Sequence, residues 1–350
     1  MAAARHASFS EVKDIVRSSE PWCLESSGLG TWYDDHVKLG ADAFDRDCRA
    51  AVDKVLETVH ELCSFNNILF DIDKVVKGGS LQKKTMLKDM CDSQLVVYIN
   101  PPYMEPIVTV GTQKYRDQLR RVIKVLMEAL KGVESVTEIS PNPVSLKFKI
   151  RVGYRRLLDV DLYPTADNFR GHGEDLCNMF DAMLQSNEDG RELYTASLIK
   201  HQTHFVRSQP TAVIDFIRLV KYWAHDALPD NLKQAYFFEL VTIHLWEETG
   251  KPEGFSKVQG FKNVMETLAS GSTELRKMYW PNLYDNALAV RAIDKLNMHE
   301  PVILDPANPT NNVCKIFDKR SNRRAIARAA QVTLDTELLR DIRVRRDWSN

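Results

Sequence analysis

The stretch Val75-Val76-Lys77-Gly78-Gly79-Ser80-Leu81-Gln82-Lys83-Lys84-Thr85, running on to Asp92-Ser93-Gln94-Leu95-Val96-Val97-Tyr98-Ile99, limits what this chain can fold into more than any other. A short apolar run stops at two glycines and a serine, and a longer one then starts with a carboxylate. The pattern predicts a strand, a tight turn that opens a helix, and a second strand. Glycines let the backbone approach a bulky anion, and the N-terminus of the following helix offers unpaired N–H groups and partial positive charge. Ser80 adds a hydroxyl; Lys77, Lys83 and Lys84 add charge. Alternate strand residues share a face, so Asp92 and Gln94 are expected to point together toward whatever the turn holds. A plain strand-to-helix connection with solvated lysines has the same composition, and this stretch alone leaves that reading open.

A second strand gives the first its meaning. In Leu157-Leu158-Asp159-Val160-Asp161-Leu162-Tyr163-Pro164 the apolar Leu158, Val160 and Leu162 fall on one face and Asp159 and Asp161 on the other. Clustered strand carboxylates need a partner, and beside a phosphate-binding turn a metal ion is the usual one. Together the two strands lead to the expectation of a phosphoryl-transfer site.

Composition excludes several classes. The chain has 350 residues, 44% apolar and 27% charged, enough for one large or two moderate domains with ordinary cores. Lys plus Arg number 47 against 48 Asp plus Glu, so any nucleic-acid surface must be a local patch. Cys23, Cys48, Cys63, Cys91, Cys177 and Cys314 form no CxxC pair, and the N-terminus lacks the apolar run of a signal peptide. Reduced thiols and a cytoplasmic, possibly nuclear, location are expected, with neither a bilayer-crossing segment nor zinc. His201 and His204 read as polar residues on a helix face, because no carboxylate or cysteine completes a ligand set.

Along the chain, residues 1 to about 40 read as a lead-in pinned by Trp22, Trp32 and Tyr33. Phe44 to Cys63 follows a helical period, with Arg46, Arg49 and Lys54 on a solvated face. Tyr115–Leu130 is predicted helical and Ser145–Val152 a half-buried strand. After Pro164 helices dominate: Tyr194–Val206, Thr211–His225, Lys233–Glu248 and Phe261–Ala269, with Pro301–Leu304 the lone strand. His172 to Asp175 reads as a helix-start loop. Lys315, Lys319, Arg320, Arg323, Arg324 and Arg328 form a basic run against one acid, Asp318, that suits either a solvated face or a contact with RNA phosphates.

Lys77-Gly78-Gly79-Ser80-x-x-Lys83-x-Thr85-x-Leu87, the strand ending Asp161-Leu162-Tyr163-Pro164, Ile217 to Trp223, Glu239-Leu240-Val241-Thr242 and Pro301-Val302-Ile303-Leu304-Asp305-Pro306-Ala307-Asn308-Pro309-Thr310 resemble the 2'-5'-oligoadenylate synthetases. The resemblance runs in order from about residue 40 to 315, and the last segment is its most specific part. It implies an α+β fold. A polymerase-beta-like nucleotidyltransferase lobe with a small mixed sheet and the long N-terminal helix would span 1–165, a mainly helical lobe 166–350, with ATP in the cleft between. It further implies two Mg2+ ions, polymerisation of ATP with release of pyrophosphate, activation by double-stranded RNA and a role in innate antiviral defence. By position, Asp92 and Asp161 are the first and third metal-binding, catalytic carboxylates. Gly79, Ser80 and Lys83 hold the triphosphate, Lys221 reaches a phosphate, and Tyr236 stacks near a base. Lys77, Arg207 and Thr211 fall at RNA-binding positions.

Departures stand beside these matches. Gln94 replaces the second carboxylate of the family's Asp-x-Asp, keeping an oxygen but losing a charge that Mg2+ prefers. Asp159, on the same strand face as Asp161, is a candidate replacement. Ala235 stands where a glutamine is usual, with Gln234 next door; Asn308 replaces an aspartate and Asn311 a glycine, while Thr203 and Ala212 replace basic residues. Three readings follow: an active synthetase, a catalytically impaired RNA- or partner-binding scaffold, and a cyclic or mixed dinucleotide synthase.

Overall fold

The computed structural model describes residues 21–65, 71–87, 91–153, 156–168, 173–271 and 277–349. A long helix, α1 (Leu39–Phe65), precedes strand β1 (Ile72–Gly78), the one-turn helix α2 (Gly79–Lys83) and β2 (Asp92–Ile99). Next come α3 (Ile107–Lys131), β3 (Val136–Pro141), β4 (Leu146–Val152) and β5 (Arg156–Thr165). The five strands form one sheet in the order β1-β2-β5-β4-β3, with β2 and β5 parallel and the other pairs antiparallel. Leu95, Val97, Leu158, Val160 and Leu162 share one face and pack on Phe44, Cys48, Val52 and Val55 of α1 and on Leu119, Val122 and Leu126 of α3. The apolar spacing of both helices is thus their buried stripe. Helical geometry in α3 is interrupted at Gly111 (φ 77°, ψ 163°), which is why periodicity registers only the part after it.

The second half carries α4 (Gly173–Gln185), α5 (Glu188–Glu192), α6 (Thr195–Arg207), α7 (Thr211–Ala227), α8 (Ala235–Glu248) and α9 (Lys257–Ala269). It ends with β6 (Lys277–Met278), α10 (Asn286–Lys295), β7 (Val302–Asp305), β8 (Asn308–Asn312) and α11 (Arg320–Leu334). The last three strands make a second sheet, β6-β7-β8, where one strand was expected. Mixed sheet plus helices is the expected α+β class.

Packing divides the molecule differently from chain order. Met179, Phe180 and Met183 of α4 and Leu198 of α6 join the core of the large sheet, whereas α7, α8, α9 and α11 build a separate core. Trp22, Trp32 and Tyr33 belong to that second core: Trp22 stacks on Phe261 at 5.3 Å and donates to Asp226 at 2.9 Å, and the Tyr33 hydroxyl donates to Asp215 at 3.1 Å. The lead-in is therefore pinned, as its aromatics suggested, but to the helical lobe. Among the described residues the cysteines are free thiols, and no helix is long and apolar enough to cross a membrane. The side chains of His60, Cys63, Glu174 and Asp175, and all of His172, lie outside the described residues.

Candidate active site

Helix α6 covers the second face of the sheet only at the far ends of β2 and β5, where Val96 and Tyr98 meet Ala196 and Ile199. The near ends stay open, and the acids sit there. In the parallel β2–β5 register Asp92 lies opposite Asp159 and Gln94 opposite Asp161, so all four share one face. Asp92 and Asp159 are exposed, Gln94 and Asp161 half-buried. On β4 Lys147 lies opposite Asp161, with its Nζ 3.7 Å from the carboxylate. Burial raises the Asp161 carboxyl above its usual range; Lys147 opposes this, and Asp92 and Asp159 add to it. Burial, with Asp161 and Asp92 nearby, raises the pKa of the Tyr163 hydroxyl, which shares this face two positions beyond Asp161.

The glycine turn closes onto this face. Gly79 has φ 78°, and a Cβ there would fall 2.7 Å from the Asp92 carbonyl oxygen and 2.8 Å from its Oδ2, so no other residue fits. Ser80 Oγ accepts from the Asp92 N–H at 3.1 Å, and the Ser80 N–H donates to Asp92 Oδ1 at 3.3 Å. Arg49, expected to be solvated, instead clamps the turn from α1, donating to the Leu81 carbonyl at 2.7 Å and Gln82 Oε1 at 3.0 Å.

A cavity of about 320 Å³ opens between the acids and the helical lobe, lined by Asp92, Asp159, Lys221, His225, Lys233 and Ala235 among others. That volume is of the size that holds a small ligand. His225 and Lys233 line the cavity although motif reading gave them no role, and Asp159 lines it as the candidate replacement carboxylate to which strand alternation pointed. Burial, aided by Lys233, pushes the His225 pKa down and favours the neutral ring. Ala235 leaves open space in the wall, and Gln234 stands exposed at the start of α8.

Behind the cavity lies a buried polar network. Glu239 accepts from Lys83 Nζ at 3.0 Å, Thr85 Oγ1 at 2.5 Å and Lys221 Nζ at 3.3 Å, and Lys221 also donates to the Thr85 carbonyl at 2.8 Å. Burial works to raise the Glu239 pKa, but the two ammoniums prevail and lower it. Lys83 Nζ sits 4.1 Å from the centre of the Tyr236 ring, whose hydroxyl donates to Asp305 at 2.8 Å. Gln202 and the Ala307 N–H complete the shell of Asp305 at 2.5 and 2.9 Å. Asn308 and Thr310 of the same segment, with Asn311, line a second polar cavity of about 370 Å³. Of the expected nucleotide contacts, Gly79, Ser80 and Lys221 therefore adjoin Asp92 or the first cavity, while Lys83 and Tyr236 occupy the network.

Lys77 and Arg207 line one groove of about 630 Å³ along β1 and α6, together with Gln82, Lys200, His201 and His204. Lys77 is also paired with Asp53 of α1. Thr211 is exposed at the first turn of α7, beyond the residues lining this groove.

Residues 175–349 match the family described as 2'-5'-oligoadenylate synthetase 1, domain 2, C-terminus. The chain belongs to the 2'-5'-oligoadenylate synthetase family. It is 28% identical over 327 residues to 2'-5'-oligoadenylate synthase 1A of Rattus norvegicus, covering 85% of this chain and 86% of that one. It is also 31% identical over 281 residues to a rat relative named inactive 2'-5'-oligoadenylate synthase 1B, covering 73% and 71%. Among solved structures, the E. coli MS115-1 CdnC chain from its complex with HORMA-deltaN superposes with a TM-score of 0.54 at 22% identity, covering 89% of this chain and 90% of that one. That likeness shows the fold. By family this is an oligoadenylate-synthetase-type nucleotidyltransferase.

A divalent cation fits the donor set. Hard carboxylate oxygens of Asp92, Asp159 and Asp161 share a face with the Gln94 amide oxygen. Among the described residues no three His, Cys, Asp or Glu side chains gather closely enough to hold an ion unaided. Mg2+ is commonly bound through one or two carboxylates, with substrate phosphates and water completing its shell.

Proposed function

We propose that this chain joins ATP units through 2'-5' phosphodiester bonds. The observation that carries the reading is the closure of the Gly79-Ser80 turn on Asp92, with Asp159 and Asp161 in register beside it and Lys221 across the cavity. The triphosphate of the donor ATP lies between the turn and Lys221, whose ammonium exchanges its Thr85 and Glu239 partners for phosphate oxygen. A 2'-hydroxyl oxygen of the acceptor attacks the donor α-phosphorus. The bond to the β,γ-pyrophosphate breaks with its electron pair, and the hydroxyl proton passes to a carboxylate oxygen of Asp161. Asp92 and Asp161 would hold Mg2+ together with substrate phosphates, with Asp159 the candidate for the missing second aspartate, and the ion would supply charge neutralisation for the leaving pyrophosphate. The protein's share is orientation and exclusion of water.

Double-stranded RNA, in this reading, lies along the groove containing Lys77 and Arg207, where phosphates meet spaced cations. Thr211, the third expected RNA contact, is exposed but does not line this groove. Incubation with ATP and MgCl2, with and without duplex RNA, followed by separation of nuclease-resistant oligomers, tests the proposal. Absence of product under both conditions removes it.

One observation favours a second reading. Gln94, opposite Asp161 in the strand register, is neutral where a metal site would gain from a carboxylate, as befits a site released from catalysis and retained to bind RNA or a partner. Gln94→Asp separates the two. Synthesis that appears only in the variant supports the scaffold, whereas a wild type as active as the variant excludes it.

A further inference from the structure

Helix α11 carries a charge pattern that folding does not explain. From Lys319 to Leu334 it contains no acid, and its first turn, where the helix dipole favours anions, holds Arg320 and Arg323 instead. At 3.6 residues per turn Arg320, Arg324 and Arg328 form one row, opposite the buried Ile326, Ala330 and Thr333. All three arginines are exposed. Among the described residues no carboxylate pairs with Arg320, Arg323 or Arg324. Like charges at i, i+4 oppose helix formation, so the row works against the element that bears it. The other face of α11 already packs on α9, and Thr333 accepts from the Trp223 indole at 2.8 Å.

We infer that this face of α11 is a phosphate-backbone contact for a nucleic acid, separate from the groove of Lys77 and Arg207. Successive arginines four residues apart lie about 6 Å apart along the axis, so the row is about 12 Å long and spans several backbone phosphates. Arginine presents a planar fork matched to phosphate oxygens. A membrane or a protein partner fits less well. Both need apolar anchorage, and none of the exposed large hydrophobic side chains, Tyr103, Val108, Leu157, Leu283 and Val290, lies on this helix. What remains is an electrostatic, sequence-independent grip on a chain of phosphates.

The test measures binding of the full chain to labelled duplex RNA and to single-stranded oligoadenylate across a salt series, by fluorescence anisotropy. R320A/R324A/R328A should weaken binding about tenfold or more at low salt and flatten the salt dependence by about 2 to 3 units of log–log slope. The lysine triple variant, R320K/R324K/R328K, should retain most of both. The two probes show which strand form the face prefers. Circular dichroism confirms that the alanine variant is folded, and R320A/R324A, which removes the i, i+4 repulsion, should show an unchanged or raised melting temperature. K77A/R207A is measured in parallel. If only that variant loses affinity, the α11 face is overturned and the groove stands; if only the α11 variant does, the groove reading falls and this one stands. Wild-type failure to bind either RNA, or an effect of the triple alanine variant confined to phosphatidylserine vesicles or to polyglutamate, also overturns it.

Discussion

Two polar regions a few residues apart follow opposite rules. On the open face of the sheet, Asp92 and Asp159 are exposed, face one another in register, and leave Asp161 with a raised affinity for a proton. Behind the cavity, on α8, Glu239 is buried and satisfied by Lys83, Lys221 and Thr85. The first region keeps unspent negative charge in front of a cavity, at a cost in repulsion. The second spends every charge internally and ties α2 to α7 and α8. The comparison teaches that the lysines nearest the cleft by motif are divided between the two tasks, one wholly structural in this state and one shared.

The comparison breaks most severely at Glu239. Glu239→Ala leaves two buried ammoniums facing each other, and should cost about 3–5 kcal/mol, read as a clear drop in chemical-denaturation stability. The same residue sets a pH dependence. Its folded pKa is lowered, so its stabilisation is present above the unfolded value of about 4.3 and is lost as pH falls through the folded one. The wild type should lose stability in that acid window more steeply than Glu239→Gln.

Next in size, Asp92→Asn should lower synthesis by about a thousandfold or more, on the order of 4 kcal/mol of transition-state stabilisation, in an assay of oligomer formation. Its melting temperature should stay the same or rise, because a repulsive partner of Asp161 is gone. A parallel loss of stability would place Asp92 in the structural class with Glu239. Gln94→Asp should raise Mn2+ affinity about tenfold by calorimetry, or about 1.4 kcal/mol. It also places a third carboxylate beside Asp92 and Asp161, so a stability loss of about 1 kcal/mol without metal is expected alongside. Unchanged Mn2+ affinity would mean that Asp159 already serves as the third carboxylate. The smallest effect belongs to Lys77→Ala. Its ion pair with Asp53 is largely exposed and contributes at most about 1 kcal/mol, so thermal stability should hold while RNA affinity falls a few-fold.

Legibility varied with how local the determinant was. The helices α6, α7 and α8 lie within about two residues of their expected spans, because α6 buries an apolar face, α7 and α8 are apolar and buried nearly all round, and a proline or glycine bounds each nearby. β3 escaped notice because Glu138 takes φ 54° and the register shifts between Thr137 and Ser140, which destroys the alternation. β8 has no apolar alternation in Asn308-Pro309-Thr310-Asn311-Asn312; its asparagines hold it by side-chain bonds, as where Asn312 accepts from the Ile303 N–H at 3.0 Å. At the site, the turn and the acids were readable from spacing, but the Arg49 clamp was not.

The sequence alone determined that Asp92 and Gln94 share one strand face and Asp159 and Asp161 another, since strand alternation is a property of adjacent residues, whereas the need for glycine at 79 came from its positive φ and its close approach to Asp92. Only the tertiary structure decided that Asp92 faces Asp159 and that Lys83 meets Glu239, 156 positions away in the chain. Strand register and ammonium–carboxylate pairing between distant segments depend on how whole elements pack. No local pattern carries that information, because the same lysine on the same helix face serves a phosphate or a buried glutamate equally well.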